Sequence, residues 1–491
     1  MKRFLAFALT FFATIGASAF TFTGSDPTDT VIEHVLNRIG FGARPGDVER
    51  VRAKGLERYI DEQLRPDHVA DPAIDAKLAD LPTVRMSSRE IAQKIEEPQM
   101  EARKATKAGE PPTPQDVKAN AVVLELSEQK MLRAVYSERQ LQEVLTDFWF
   151  NHFNVDARKG PARFMLTEYE RETIRPHVLG RFRDLLEATA KSPAMLFYLD
   201  NWMSADPHGP HVEMPRARIA RGPFGPVLVQ PPPRRPPQNT NAPKGLNENY
   251  ARELMELHTL GVDGGYTQKD VTEVARCFTG WTIDKPRAGG SFIFRPALHD
   301  LGPKVVLGHA IKAGGDQSDG ERVLDILAKH PSTARFIASK LVRRFVSDTP
   351  PQALVDRATK RFRDTDGDLR EVMRTILTSP EFLSPDAVNA KMKTPFEFVA
   401  SALRATGADV QDALPLVRTM QQLGMPLYQC QPPTGYKDTA DAWVNTGALV
   451  DRMNFAVRLS SRRLPGVTAV ASGEAPDDLA LKLGGPDFQR R

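Results

Sequence analysis

The chain has 491 residues, of which 26% are charged and 41% hydrophobic, with 66 basic and 62 acidic side chains. This composition excludes a disordered, collagenous or disulfide-stapled chain, because it supplies ample apolar material for a core. A formal net charge of +4 over this length is too small to indicate a nucleic-acid-binding surface. We therefore expect a globular protein with no nucleic acid among its partners.

The first nineteen residues predict a signal peptide. Lys2 and Arg3 form a basic segment, residues 4–16 are an uncharged apolar run, and the run ends at Ala-Ser-Ala, the small residues that a signal peptidase requires. The apolar run is shorter than the roughly 20 residues of a membrane-spanning helix. We expect a periplasmic or secreted protein without a transmembrane span, cleaved after Ala19.

Residues 20–204 are predicted to form an N-terminal helical half. Within it, residues 116–150 have the apolar spacing of long helices, broken near Ser137. Residues 97–115 are rich in proline and charge and indicate an exposed connection.

A long insertion follows at residues 205–244. It contains eleven prolines, three of them consecutive at 231–233, and several arginines. Such a segment favours polyproline II conformation and is expected to be mobile, with no regular helix or sheet. Its two ends are expected to lie close together.

Residues 245–465 are predicted to be a C-terminal helical half that contains one β-hairpin. The apolar residues 291–295 and 304–307 have strand character, and a hairpin between them would place His299 and Asp300 at its tip. Residues 466–491 are expected to be a tail with a short helix.

Two segments of the chain resemble each other. Residues 180–196 align without gaps on residues 367–383, and each is a glycine-led helical segment followed by Ser-Pro. A third segment, residues 479–488, shows a weaker similarity to them. The expected fold is therefore mainly α: a large multi-helix domain with duplicated helical units, one small β-hairpin and a long Pro-rich insertion.

Several motifs together resemble one large bacterial family. The motifs lie at residues 34–42, 148–153, 247–261, 265–271, 275–281, 299–302, 340–346 and 485–489, and the longest reads NENYARELMELHTLG. They resemble the domain of unknown function eighteen hundred (DUF1800) over nearly the whole mature chain. This resemblance implies a secreted protein whose gene often neighbours that of a second secreted protein, similar to alkaline phosphatases and sulfatases. The family brings no established catalytic residues.

Four polar residues are candidates for one site at the base of the insertion: His152, Asp200, Glu248 and His299. Glu248 is the candidate base or oxygen ligand, and the two histidines are candidate proton carriers. Asp200 is the candidate orienting carboxylate or ligand for a hard cation such as calcium. The alternative is that these residues are helix caps and core hydrogen-bonding groups.

The sequence contains no motif of a nucleotide cofactor site, and none is expected. The acidic run at 364–368 lacks the glycine and glutamate of a calcium loop, so Asp368 is predicted to cap the next helix. His258 falls on the apolar side of its helix, away from Glu253. The sequence leaves open whether Cys277 and Cys430 form a disulfide.

Two functions remain open. The first is an exported hydrolase or lyase that acts on an envelope or extracellular polymer. The second is a non-catalytic binding or assembly partner of the co-encoded phosphatase- or sulfatase-like protein.

Overall fold

A computed structural model describes residues 28–105, 114–209, 218–222, 225–229, 245–468 and 475–491. The expected signal peptide and most of the Pro-rich insertion lie outside these ranges. The described part is mainly helical, as the sequence predicts.

The α-helices before the insertion are α1 Asp29–Ile39, α2 Asp47–Lys54, α3 Leu56–Gln63, α4 Pro72–Lys77, α5 Ser88–Ile91, α6 Glu97–Ala105, α7 Pro114–Tyr136, α8 Gln140–His152, α9 Leu166–Glu168, α10 Phe182–Lys191 and α11 Pro193–Tyr198. Those after it are α12 Glu248–Met255, α13 Gln268–Cys277, α14 Ser318–Lys329, α15 Pro331–Phe345, α16 Gln352–Asp364, α17 Leu369–Leu377, α18 Pro395–Ala405, α19 Leu414–Gln422, α20 Thr446–Ser460 and α21 Pro476–Gly484. Wider π-helical turns at Ala92–Glu96, Tyr169–Ile174 and Glu256–Leu260 extend α5, α9 and α12.

The helices match the predicted pattern in one long region and differ from it in another. The break predicted near Ser137 separates α7 from α8. Residues 97–105, expected to belong to an exposed connection, form α6 instead. A π-helical turn at Ala92–Glu96 runs directly into α6, and Pro98 follows that turn, so the missing proline N–H falls where the regular hydrogen-bond ladder of the helix is already interrupted.

In the described residues the strands form two-stranded antiparallel sheets. Three are hairpins: β1 Arg218–Gly222 with β2 Gly225–Val229, β3 Trp281–Ile283 with β4 Phe292–Phe294, and β5 Lys304–Val306 with β6 His309–Ile311. The fourth pairs β7 Asp409–Val410 with β8 Val467–Thr468, which are far apart in the sequence.

Small hairpins are present, but β4 and β5 do not pair with each other as expected. Val306 lies opposite His309, so β5 turns directly into β6 through Leu307 and Gly308. Both residues have positive φ, +48° and +79°, which a tight two-residue hairpin turn requires. The Leu-Gly pair is an uncommon form of this turn.

The insertion contains regular structure that the sequence analysis did not expect. The backbone of β1 and β2 is paired from Arg218 opposite Val229 to Gly222 opposite Gly225. The prediction that residues 205–244 hold no sheet is therefore wrong for these strands. The polyproline run at 231–233 lies outside the described residues.

The two similar helical segments meet at equivalent positions. The Phe182 N–H donates to the Gly367 carbonyl at 2.8 Å, and the Leu369 N–H donates to the Gly180 carbonyl at 2.9 Å. In the gapless alignment Gly180 corresponds to Gly367 and Phe182 to Leu369, so the two bonds are equivalent and reciprocal. The duplicated units therefore contact each other through a local two-fold arrangement.

Most buried apolar side chains of both halves form one contiguous cluster, from Ile32 on α1 to Leu483 on α21, and a small second cluster contains Ile91, Val122 and Phe164. The largest fully buried members include Trp149, Trp281 and Tyr169. Burial of this surface is the main stabilising contribution to such a fold. Across the described ranges, none of the helices has both the length and the apolar character that crossing a membrane requires.

Candidate functional site

The two ends of the insertion lie together at the start of α12. The Ala205 N–H donates to the Gly245 carbonyl at 3.1 Å. The Asn247 side chain accepts a hydrogen bond from the Tyr250 N–H, and its Nδ2 donates to the Leu199 carbonyl at 2.6 Å. Asn247 is thus the N-cap of α12, and the predicted closure of the insertion is confirmed.

An open cleft of about 660 Å³ lies beside these ends. The segment after α8, the end of α11, the first turns of α12 and the loop after residue 430 contribute its walls. Its lining residues carry charges of both signs and one aromatic ring, and are Asp156, Arg158, Lys159, Tyr198, Leu199, Asn249, Glu253, Gln431 and Pro433.

Two carboxyl groups of the cleft lie close to the same phenol. The Tyr198 hydroxyl donates to the Gln431 carbonyl at 2.8 Å. Burial raises the pKa of Tyr198, and the charges of Asp156 and Glu253 raise it further. Asp156 belongs to the segment after α8 and Glu253 to α12, so the fold brings together carboxyls from distant parts of the sequence.

Asp156 and Glu253 differ in their partners. The Asp156 carboxylate is 6% exposed and accepts hydrogen bonds from Nε and one terminal nitrogen of Arg158, each at 3.0 Å. Within the described ranges, no hydrogen bond or ion pair joins the Glu253 carboxyl to another residue. Burial, and then the charge of Glu256, raise the pKa of Glu253. One carboxylate is therefore paired with a cation, while the other holds its proton to a higher pH than an ordinary glutamate.

Asp200 lies at the edge of this cleft. Its Oδ2 accepts a hydrogen bond from Lys159 Nζ at 2.7 Å, and Lys159 also donates to the Tyr198 carbonyl. Asp200 thus orients a cleft cation. The Lys159 ammonium lies close to the Asp200 carboxylate. It disfavours binding of the expected hard cation there, because like charges repel.

His152 lies in the core. Its ring is 2% exposed and contacts Trp149 and Phe153. Lys340 Nζ donates to His152 Nδ1 at 2.9 Å, and Nε2 lies 3.1 Å from the His258 carbonyl. Because an ammonium can only donate, Nδ1 is the acceptor and Nε2 carries the proton. Burial, and then the charge of Lys340, hold the pKa of His152 well below its usual value.

The asparagines beside His152 bind a loop. Asn151 accepts from the Tyr436 N–H and donates to its carbonyl, both at 2.7 Å. Asn154 donates to the carbonyls of Cys430 and Pro432. These amides satisfy backbone groups of the loop that forms one wall of the cleft.

His299 lies between two hairpins in a buried network. It is fully buried, and its Nδ1 is 2.8 Å from the Thr279 carbonyl. Its Nε2 is 3.2 Å from Asp319, which also accepts from Lys304 Nζ at 2.8 Å. The expectation that His299 lies at an accessible hairpin tip is therefore wrong. The chain around it links β4 to β5, and His299 and Asp300 are the buried residues of this link, whereas Leu301 is exposed.

The neighbouring Asp300 is also paired. Its carboxylate accepts from Nε of Arg276 at 2.8 Å and from a terminal nitrogen at 3.0 Å. This two-point ion pair joins the linking segment to α13.

Glu248 joins two helices. Its carboxylate accepts from Gln268 Nε2 at 2.9 Å and from Thr272 Oγ1 at 2.8 Å, both on α13. Glu248 is not among the residues that line the cleft, whereas its neighbour Asn249 is.

The structure therefore places His152, Asp200, Glu248 and His299 in four different environments. In the described part of the chain, no hydrogen bond, ion pair or ring contact joins any two of them. Only Asp200 is next to the cleft, through Lys159. The single shared pocket expected from the sequence is not formed.

The structure also bears on the open questions about ligands and cysteines. No group of three or more His, Cys, Asp or Glu side chains within the described ranges is arranged to bind a metal ion. His258 is buried, as predicted, and Asp368 caps α17 by accepting from the Glu371 N–H. Cys277 and Cys430 are both buried free thiols, so they do not form a disulfide.

The sequence analysis missed Asp156, Tyr198 and Glu253 as members of one cleft. One signal in the sequence pointed to Glu253. The helical projection of α12 places Glu253 away from the apolar side of the helix, which carries His258. Asp156 follows α8 and Tyr198 ends α11, and no sequence motif marks either residue. Only the packing of α11 against the loop after residue 430 brings them together.

The family model for a protein of unknown function, DUF1800, matches residues 34–490. The chain belongs to the DUF1800 family. No curated protein and no solved structure matches it. The match begins within α1 and ends just before the last residue, so the cleft and all four candidates from the sequence lie inside the DUF1800 region.

Proposed function

We propose that this DUF1800 protein is an exported hydrolase that cleaves an envelope or extracellular polysaccharide in the cleft beside Tyr198. The observation that supports this proposal is the pair of unlike carboxyl groups in one open cleft. Glu253 has a raised pKa, whereas Asp156 is bound to a guanidinium. Hydrolysis of a glycosidic bond uses such a pair, one carboxyl as acid and the other as carboxylate.

The roles follow from the environments. Glu253 is the general acid that protonates the leaving oxygen, because it holds its proton at higher pH than an ordinary glutamate. Asp156 is the carboxylate that activates water or stabilises positive charge on the sugar ring. Arg158, Lys159 and Asn249 are available to bind hydroxyl or acidic groups of the polymer. The open shape of the cleft suits a chain that extends beyond it.

The test compares Glu253→Gln with Glu248→Gln, which are one helical turn apart on α12. Purified envelope polysaccharides are incubated with each protein, and the release of new reducing ends is measured. Loss of a general acid lowers the rate by about 100-fold or more, so Glu253→Gln should lose activity and Glu248→Gln should retain it. Equal activity of Glu253→Gln and the unaltered protein would contradict the proposal.

A second candidate is a binding or assembly partner of the co-encoded phosphatase- or sulfatase-like protein. Apolar side chains are exposed on adjacent helices, with Leu449, Val450 and Val457 on α20 and Leu481 on α21. Exposed apolar groups that lie together favour a protein interface. Two results together would favour this candidate. The protein would co-purify with the co-encoded protein while Val450→Asp would not, and the protein would hydrolyse no polymer.

A further inference from the structure

One side of α15 carries three partly buried residues at helical spacing: Phe336, Lys340 and Arg343. Residues three and four positions apart are neighbours on a helix surface, so these side chains form one row. The row contains two cations and no acid. It lies apart from the residues that line the cleft.

Lys340 has no carboxylate partner in the described part of the chain. Its Nζ donates to the neutral His152 at 2.9 Å and lies 5.4 Å from the centre of the Phe336 ring. Burial lowers the pKa of Lys340 to about 8; the charge of Asp438 opposes this change, and that of Arg343 adds to it. The ammonium is thus partly removed from water without a counter-ion, which is costly.

Arg343 likewise has no hydrogen-bond or ion-pair partner among the described residues. Its Nε is buried and makes no hydrogen bond, and no ion pair joins its guanidinium to a described residue. The adjacent Arg344 shows the contrast, because it pairs with Glu397 at 2.8 Å and with Asp438 at 3.0 Å. Asp438, the acid whose charge acts on Lys340, is therefore already bound to another cation.

Neighbouring groups do not supply the missing negative charge. His152 is held neutral by its contacts, and burial lowers the pKa of His258 to about 3, so it is neutral as well. Asp438, the acid that acts on Lys340, also lies 3.4 Å from Lys391 Nζ. Two cations on one helix row thus lack an anion, and a ligand of negative charge would relieve their repulsion.

We propose that Lys340 and Arg343 form a binding site for a tetrahedral oxyanion, a phosphate or sulfate group. A guanidinium presents a planar set of donors that matches two oxygens of such a group, and an ammonium binds a third as a point charge. The oxyanion is either a free ion or a substituent on a polymer. This inference does not rest on the proposed hydrolase activity.

The experiment measures binding of inorganic phosphate, inorganic sulfate and dextran sulfate to the full mature chain by calorimetry at constant ionic strength. The variant is Arg343→Gln, which removes a side chain that makes no hydrogen bond and therefore preserves folding. Arg335→Gln is the matched control, because Arg335 lies on the same helix and pairs with Asp356. Lys340→Met is the second variant.

We expect saturable binding of phosphate or sulfate that becomes about tenfold weaker or more in Arg343→Gln and is unchanged in Arg335→Gln. Binding of dextran sulfate alone, lost in Arg343→Gln, would support a polymer-borne group. Absence of binding by all three probes would overturn the proposal. An equal loss in Arg335→Gln would also overturn it, because general surface charge would then explain the binding.

Discussion

Glu128 on α7 illustrates how burial sets the charge of single residues in this protein. Burial, followed by the charges of Asp412 and Glu125, raises the pKa of Glu128 to about 7. Its neighbour Glu125, one turn away, instead accepts hydrogen bonds from the Thr83 N–H at 2.8 Å and from the Thr83 hydroxyl at 2.7 Å. Two glutamates on one helix thus differ in environment: Glu125 is hydrogen-bonded to Thr83, whereas burial raises the pKa of Glu128.

This difference predicts a dependence of stability on pH. The folded-state pKa of Glu128 lies above its unfolded value of 4.5, so its contribution is fully present below pH 4.5 and is lost as the pH rises through about 7. Glu128→Gln should therefore stabilise the protein by about 1–2 kcal/mol at pH 8 and leave it nearly unchanged at pH 4. Chemical denaturation at both pH values measures this effect.

Glu125→Gln is the matched control for that experiment. It weakens the bonds to Thr83 and should destabilise the protein at pH 8. If both variants changed stability in the same direction at pH 8, the protonation state assigned to Glu128 would be wrong.

At the scale of elements, the start of α17 combines a helix cap with the contact between the duplicated units. Gly367 has φ of +76°, a conformation that glycine adopts without strain, and it accepts the hydrogen bond from Phe182. The next residue, Asp368, accepts from the Glu371 N–H at 3.1 Å. The acidic run that resembles a calcium loop is thus a turn followed by an N-cap.

Asp368→Ala should therefore cost about 1 kcal/mol of unfolding free energy, because a backbone N–H of the first turn loses its acceptor. Thr28→Ala is the control, since Thr28 precedes α1 without a side-chain cap bond and should change stability little. Urea denaturation measures both. Equal losses in the two variants would show that the Asp368 bond contributes nothing specific.

At the scale of the whole molecule, the ends of the insertion are joined to each other independently of what lies between them. Ala205 binds Gly245, and the Asn247 N–H donates to the Ser204 hydroxyl at 3.2 Å. Strands β1 and β2 pair with one another. The fold therefore does not require the residues between the two ends to close the chain.

Replacing residues 210–244 with a short Gly-Ser linker should leave the free energy of unfolding within about 1 kcal/mol, because loop-closure entropy depends only weakly on loop length. Thermal unfolding and circular dichroism measure the result. A variant that fails to fold would show that the insertion packs against the core. If the variant folds but no longer hydrolyses the polymer, the insertion takes part in substrate binding.

Local patterns were sufficient to predict the mainly helical fold. The break between α7 and α8 and the cap at Asp368 depend on residues within a few positions of each other, so sequence spacing describes them. The similarity of residues 180–196 and 367–383 also correctly indicated related units. Strand pairing was not predictable in this way, because β4 and β5 each had two possible neighbours.

The sequence by itself determined most of the helices, the cap at Asp368, the closure of the insertion and the membership of the DUF1800 family, since each depends on short segments or on their order. It did not determine α6. Only the tertiary structure decided which polar residues share an environment. His152 lies at a helix end and His299 lies next to strands, and a solvent-facing site would use the same positions. Segments that are distant in the sequence nevertheless bury both side chains. Asp156 and Glu253 line one cleft although 97 positions separate them in the sequence. Burial and pairing arise from contacts between residues far apart in the chain, and no local pattern encodes them.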